Sequence, residues 1–294
     1  MPELPDIVAY VEGLERHVVG RSLRALTLSS PFLVRSVEPP IATLVERTVT
    51  GASRIGKRLV LSFDGGLHLV IHLMIAGRLR WRPPGKKGVG KALATLDFGD
   101  GMLFFTEAGS KRRASFTVVE GHGALAAIHR GGVEPLSCTL EEFVYQLRRE
   151  NHTLKRSLTD PRLFSGIGNA YSDEILHHAR LSPLITTARL DAESAERLYH
   201  STVTVLTTWI ERLRTEVGDG FPEAVTAFRP EMKAHGRYGE PCADCGTPIQ
   251  RIRYADNETN YCARCQTEGR LLADRSLSRL LKGDWPRSID ELDP

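Results

Sequence analysis

Nowhere in this 294-residue chain do about 18 apolar residues run together, so no segment reads as a bilayer-spanning helix. The opening stretch MPELPDIVAY has early acids and no basic segment leading into an apolar one, so it does not read as a secretion signal. The expected location is the cytoplasm, at the nucleoid in a prokaryote. There are no internal repeats and no low-complexity tracts, which excludes solenoid and fibrous designs. Cysteines number only five, too few for a disulfide scaffold of this length. One-sided charge is also missing. The formal net charge is +3, too small to name a partner by itself.

What is present is an ordinary globular composition, 41% apolar and 26% charged, with a local imbalance. Residues 47–82 contain Arg47, Arg54, Lys57, Arg58, Arg78, Arg80 and Arg82 against the single acid Asp64, and Lys111, Arg112 and Arg113 form a second cluster. Such clustering suits a polyanion, although solvated sheet faces would give the same composition.

The pattern changes along the chain. Asp6–Val19 predicts a helix with Ile7, Val11, Leu14 and Val18 on one face, Asp6 as its N-cap and Gly20 as its stop. From residue 21 to about 120 the pattern is strand-like. Arg58–Phe63 and Leu67–Leu73 flank Asp64-Gly65-Gly66, and Leu93–Phe98 and Met102–Thr106 flank Gly99-Asp100-Gly101, both hairpin signals. LHLVIHLM is apolar on both faces, as a strand inside a sandwich would be. KKGVGK (86–91) reads as an exposed, mobile loop. Helical patterns follow over Glu141–Arg149, Asn169–Ala179 and Ala192–Thr215, the first with a capping box of Thr139 and Glu142. Residues 216–232 read as irregular, and Ala273–Lys282 as one more short helix.

Cys242-x2-Cys245 and Cys262-x2-Cys265 lie sixteen residues apart, the spacing of a zinc ribbon with a β-hairpin between two knuckles. Four thiolates fill a tetrahedral Zn²⁺, so the ion is structural and its binding supplies folding energy. Arg251, Arg253 and Arg264 nearby favour nucleic acid, with protein contact as the plainer alternative. Cys138 stands apart and reads as a small buried apolar residue.

The start MPELPD, the run GIGNAYSDEIL at 166–176 and the late four-cysteine ribbon occur in this order and spacing. Together they resemble the formamidopyrimidine-DNA glycosylase and endonuclease VIII family over about residues 1–268. The resemblance implies an α+β multidomain fold: an N-terminal helix plus β-sandwich over 1–125, a helical domain with a helix–two-turn–helix over 137–232, and a zinc hairpin over 236–268. Residues 269–294 extend past the family's usual end. It also implies a monomer that binds double-stranded DNA in an inter-domain cleft and repairs it by base excision.

The chemistry implied is that of a glycosylase and abasic-site lyase. Removal of Met1, expected before so small a residue, exposes the amine of Pro2. An α-amine has a pKa of ~7.7–8 against ~10.4 for lysine, so far more of it is neutral near pH 7. Attack on deoxyribose C1′ gives an iminium that permits β,δ-elimination. A retained Met1 would block the amine. By resemblance Glu3 protonates the sugar ring oxygen, Lys57 on its strand grips a phosphate, and Asn169 and Lys155 face the DNA, as does Glu174, which could equally be an ordinary helix acid. Asp6 falls where the family has glutamate.

Four departures bear on the lesion. In HLMIAGR, Ile75 takes the place of the family's intercalating methionine. In KRRAS, Arg113 remains but Ala114 replaces phenylalanine, which leaves Phe116 as a possible substitute. At the hairpin tip, ADNET puts Asn257 where the family has arginine, with Arg251 or Arg253 to compensate. GDGFPEAVTAFRPEM replaces the family's lid over the oxidised base, and no lid residues carry over. Oxidised bases, bulky or alkylated lesions and bare abasic sites all remain open as substrates, as does a damaged-DNA binder without catalysis.

Overall fold

Helix α1 spans Leu4–Val18 because Ile7, Tyr10, Leu14 and Val18 share one face, and all four are fully buried. The helix begins two residues before the predicted start. Glu3, not Asp6, is the N-cap; Pro5 sits in the first turn, where its missing N–H costs nothing, and Asp6 Oδ2 accepts the Glu3 N–H at 3.0 Å. The computed structural model describes residues 1–109, 111–223, 225, 228–254, 257–273, 280 and 286–292. Most of the predicted helix over 273–282 lies outside the described residues.

The chain divides into two units, Met1–Arg130 with Trp209–Thr226, and Gly131–Thr208 with Ala227–Pro294. Among the described residues the first unit holds eight strands: β1 Ala25–Leu28, β2 Val49–Ile55, β3 Arg58–Phe63, β4 Leu67–His72, β5 Gly77–Arg82, β6 Ala94–Asp97, β7 Met102–Glu107 and β8 Ser115–Glu120. They form two four-stranded antiparallel sheets, ordered β1-β6-β7-β5 and β2-β3-β4-β8. Both sheets feed one core with α1, and Phe105 of one meets Phe116 of the other edge-on at 5.1 Å, so the unit is a sandwich. β4 is buried on both faces, as its apolar run predicts. β5 alternates strictly: Leu79 and Trp81 enter the core, and Arg78, Arg80 and Arg82 share the opposite face. Residues 85–91 are mostly exposed. Phe221 and Val225 pack onto this core, and Arg214 pairs with Glu12 of α1 at 2.7 Å. Helix α2 (Gly121–Ala126) follows β8.

The second unit contains α3 Leu140–Arg148, α4 Leu154–Thr159, α5 Asn169–His178 and most of α6 Ala192–Val217. Thr139 and Glu142 form the predicted capping box on α3. Two turns join α4 to α5 over 160–168, the helix–two-turn–helix expected. Phe143, Phe164 and Tyr199 stack through this core. β9 Ile249–Tyr254 and β10 Asn257–Cys262 form the C-terminal hairpin, followed by α7 Ala263–Thr267. The hairpin has a small core of its own. Leu271 and Ile289 pack on Ile252 and Tyr261, because the chain returns through an Arg270–Ser288 bridge and an Arg264–Asp290 ion pair.

Candidate functional site

In the first unit the chemistry-bearing side chains gather at the head of α1. Pro2 is buried, and Glu3 is 3% exposed. Burial first, then the charges of Arg78 and Lys57, lower the pKa of the chain-terminal Met1 amine, while Glu3 and Asp6 pull it up. All four charged groups therefore lie within electrostatic reach of the N-terminus. Lys57 is not on a strand. Ile55 pairs with Arg58, and Gly56-Lys57 is the two-residue turn between β2 and β3. Gly56 has φ +60°, the positive value that the first position of a type II′ turn requires.

His72 ends β4 beside this turn. Burial, with the charges of Arg58, Lys57 and Arg130, lowers its pKa to about 4. Its Nδ1 accepts the Met74 N–H at 3.2 Å, as a neutral imidazole can. Met74 has φ +52°, a conformation uncommon for a side-chain-bearing residue. The following tight loop presents Ile75, 67% exposed, and is tied by Gly77 N–H to Leu73 O and by Arg78 to the Ile75 and Gly77 carbonyls. Arg113 is exposed, and Glu107 fixes its backbone by accepting the Arg113 and Ala114 N–H groups at 2.8 and 3.1 Å. Ala114 is buried and Phe116 is fully buried in the sandwich, so Phe116 cannot substitute in the intercalating set. Its place on β8, two residues after Ala114, turns it inward.

In the second unit a continuous polar network surrounds the start of α5. Asn169 donates from Nδ2 to the Glu258 carbonyl of β10 at 2.8 Å. Lys155 of α4 donates to the Asn169 carbonyl at 2.7 Å and to the buried Asp173 at 2.5 Å. The other oxygen of Asp173 meets His235 Nδ1 at 2.7 Å. Glu174 faces inward: its carboxylate accepts the N–H groups of Lys233, Ala234 and His235 at 2.8–2.9 Å. Burial pushes its carboxyl pKa up while those three donors draw it back. On the hairpin, Arg251 lies over the Tyr238 ring at 4.0 Å and pairs with Glu258 at 3.4 Å, and Arg253 approaches the same carboxylate at 3.7 Å. Asn257 is exposed at the start of β10. Asp173, His235 and Glu107 are absent from the sequence reading. No spacing rule joins Asp173 to a histidine 62 residues away; the adjacent acids within GIGNAYSDEIL were the available sign.

The sulfurs of Cys242, Cys245, Cys262 and Cys265 all lie within 4.8 Å of one another. Tetrahedral zinc with ~2.3 Å bonds needs sulfurs roughly 3.8 Å apart, and the observed pairs at 3.4 and 4.0 Å bracket that value. Burial at Cys245 is outweighed by hydrogen bonds from Thr247, which draw it down to about 6, while burial and neighbouring thiols push Cys262 up to about 11 and Cys265 higher still, so a divalent cation is what would let all four ionise together. His177, near the end of α5, reaches Cys242 Sγ from Nε2 at 3.3 Å, the outer partner that orients a thiolate ligand. Cys138 is buried and apart from the cluster.

Three family models match the chain: the formamidopyrimidine-DNA glycosylase N-terminal domain over 1–113, the H2TH domain of the same family over 132–219, and a zinc finger found in FPG and IleRS over 239–267. A formamidopyrimidine-DNA glycosylase from Solibacter usitatus is 31% identical over 270 residues, covering 90% of this chain and 99% of its own length. One from Thermus thermophilus is 32% identical over 284 residues, covering 92% and 100%. Among solved structures, Lactococcus lactis Fpg bound to DNA containing an abasic site matches with a TM-score of 0.79 at 25% identity, covering 90% of this chain and 99% of that one. The same protein with DNA containing N7-benzyl-Fapy-dG matches at 0.79 and 26%, covering 90% and 100%. The ion suited to the four cysteines is one structural zinc.

Proposed function

The chain belongs to the formamidopyrimidine-DNA glycosylase family, and from that membership we propose how its own residues carry out base excision, with the buried Pro2–Glu3 head of α1 beside Lys57 and Arg78 as the carrying observation. The protein is a DNA N-glycosylase and abasic-site lyase whose partner is duplex DNA bearing a damaged base or an abasic site. Loss of Met1 makes Pro2 the terminal amine. As an α-amine, with an ordinary pKa of ~7.7–8, it has far more of the neutral form near pH 7 than a lysine. That nitrogen bonds to C1′ as the glycosidic bond breaks and the base leaves with a proton. Glu3 gives a proton to the sugar ring oxygen as the C1′–O4′ bond opens, which leaves an iminium. Loss of a C2′ proton expels the 3′ phosphate, and a second elimination frees the 5′ phosphate.

Lys57, on its stiff turn, holds phosphate near that nitrogen. Asn169 at the start of α5 and Lys155 of α4, with Asn257, Arg251 and Arg253 of the hairpin, hold backbone phosphates. Glu174 positions the 233–235 backbone beneath them. Ile75 and Arg113 enter the duplex. We place the protein in the cytoplasm, at the nucleoid, acting as a monomer, with domains at 1–125, 137–232 and 236–268.

The test is borohydride trapping on duplex DNA carrying an abasic site. A covalent complex is expected, weakened by Pro2→Gly, while Glu3→Gln chiefly blocks base release from damaged DNA. Wild-type protein that binds the duplex yet gives no adduct overturns the reading. The burial of Ala114 and Phe116 supports a second reading of the lesion: with only Ile75 and Arg113 to fill the gap, the preferred substrate is a site already poorly stacked, either abasic or bearing a bulky adduct.

A further inference from the structure

Phe228 is 71% exposed, in the segment that replaces the family's lid, and it is far from a casual surface residue. Its ring stacks on the His235 imidazole with centroids 5.6 Å apart and an interplanar angle of 22°. His235 is itself 7% exposed and locked by Asp173, which Lys155 holds in turn. Glu174 clamps the backbone N–H groups of residues 233–235, and Asn260 accepts the Gly236 N–H at 2.8 Å. Gly236 has φ +74°, and a Cβ there would meet the Phe228 ring at 3.0 Å, so the absent side chain makes room for that ring. Every layer beneath the phenyl group is fixed, yet its outer surface is given to solvent.

We propose that Phe228 is a nucleobase-stacking residue that determines specificity: it takes one face of an unpaired base in the bound DNA. The proposal rests on the glycosylase reading above. A ring backed by His235, whose Asp173 partner is held by Lys155, one of the groups given to phosphates, suits a base better than an apolar protein surface. Aromatic platforms on rigid supports bind bases through π-faces with little dependence on hydrogen bonding. A bare abasic site offers no damaged base to stack, so the two substrates separate the roles.

Two measurements test it in the full-length zinc protein: borohydride trapping on an abasic duplex, and single-turnover release of ring-opened guanine from duplex DNA. Phe228→Ala and Phe228→Leu are expected to trap within twofold of wild type but to release base about tenfold more slowly, and Phe228→Trp to restore release. Equal losses on both substrates, no loss on either, failure of tryptophan to restore release, or a wild type that traps abasic DNA but releases no ring-opened guanine would overturn the assignment. A wild type that forms no adduct overturns the glycosylase reading instead.

Discussion

His72 shows how one side chain ties acidity to the loop that carries Ile75. Its Nδ1 accepts the Met74 N–H, so protonation would remove that bond. Burial and the neighbouring Arg58, Lys57 and Arg130 hold its folded pKa near about 4, whereas an unfolded histidine titrates near ~6.5. Below ~6.5 the unfolded chain therefore binds a proton that the folded one refuses. Stability should fall as pH drops through that window, by roughly 1.4 kcal/mol per unit, and level off near about 4. Urea unfolding at pH 7 and pH 5 checks this: His72→Gln should narrow the gap between the two midpoints, and an unchanged gap refutes it. Little of this was legible beforehand. His72 reads simply as part of an apolar strand, and its charged neighbours come from two separate places in the chain, 57–58 and 130. Pro2, Glu3 and Asn169 stand within recognisable motifs, but the inward turn of Glu174 depends on a backbone 60 residues later.

Elements with strong periodicity were readable, and short ones were not. The sandwich strands and α3 with its capping box follow alternation and spacing that depend on local contacts alone. Six-residue α4 and α2 are shorter than two helical turns, too brief for a 3.6-residue period to register. Lys57 was put on a strand by resemblance alone, whereas the periodic run begins one residue later, at Arg58, and Gly56-Lys57 is the turn before it. The zinc hairpin was visible from its cysteines, but its covering was not: Ile289 arrives from beyond the module and packs on Ile252 and Tyr261. Ile289→Ala should leave a void that costs roughly 2 kcal/mol and weakens the hairpin. Zinc release to a chelating dye should then be faster than in wild type; an identical release rate would show that the returning segment adds nothing.

At the scale of the whole molecule, one structural ion underlies much of the surface proposed for DNA on the second unit. Zinc extraction should unfold the hairpin, withdraw Arg251, Arg253 and the Glu258 carbonyl that anchors Asn169, and lower affinity for duplex DNA by tenfold or more. Titration of chelator-treated and zinc-restored protein against labelled duplex checks this, and undiminished binding by the metal-free form refutes it. The His177–Cys242 contact carries a further consequence. Helix α5 begins at Asn169, the proposed phosphate contact, and meets a zinc ligand's sulfur near its other end, so on that proposal it is a strut between metal and DNA backbone. An electrophile or peroxide that attacks those sulfurs would loosen the strut at one end and be felt at the other. Oxidative stress, which damages bases, would in this way also disarm the protein that removes them.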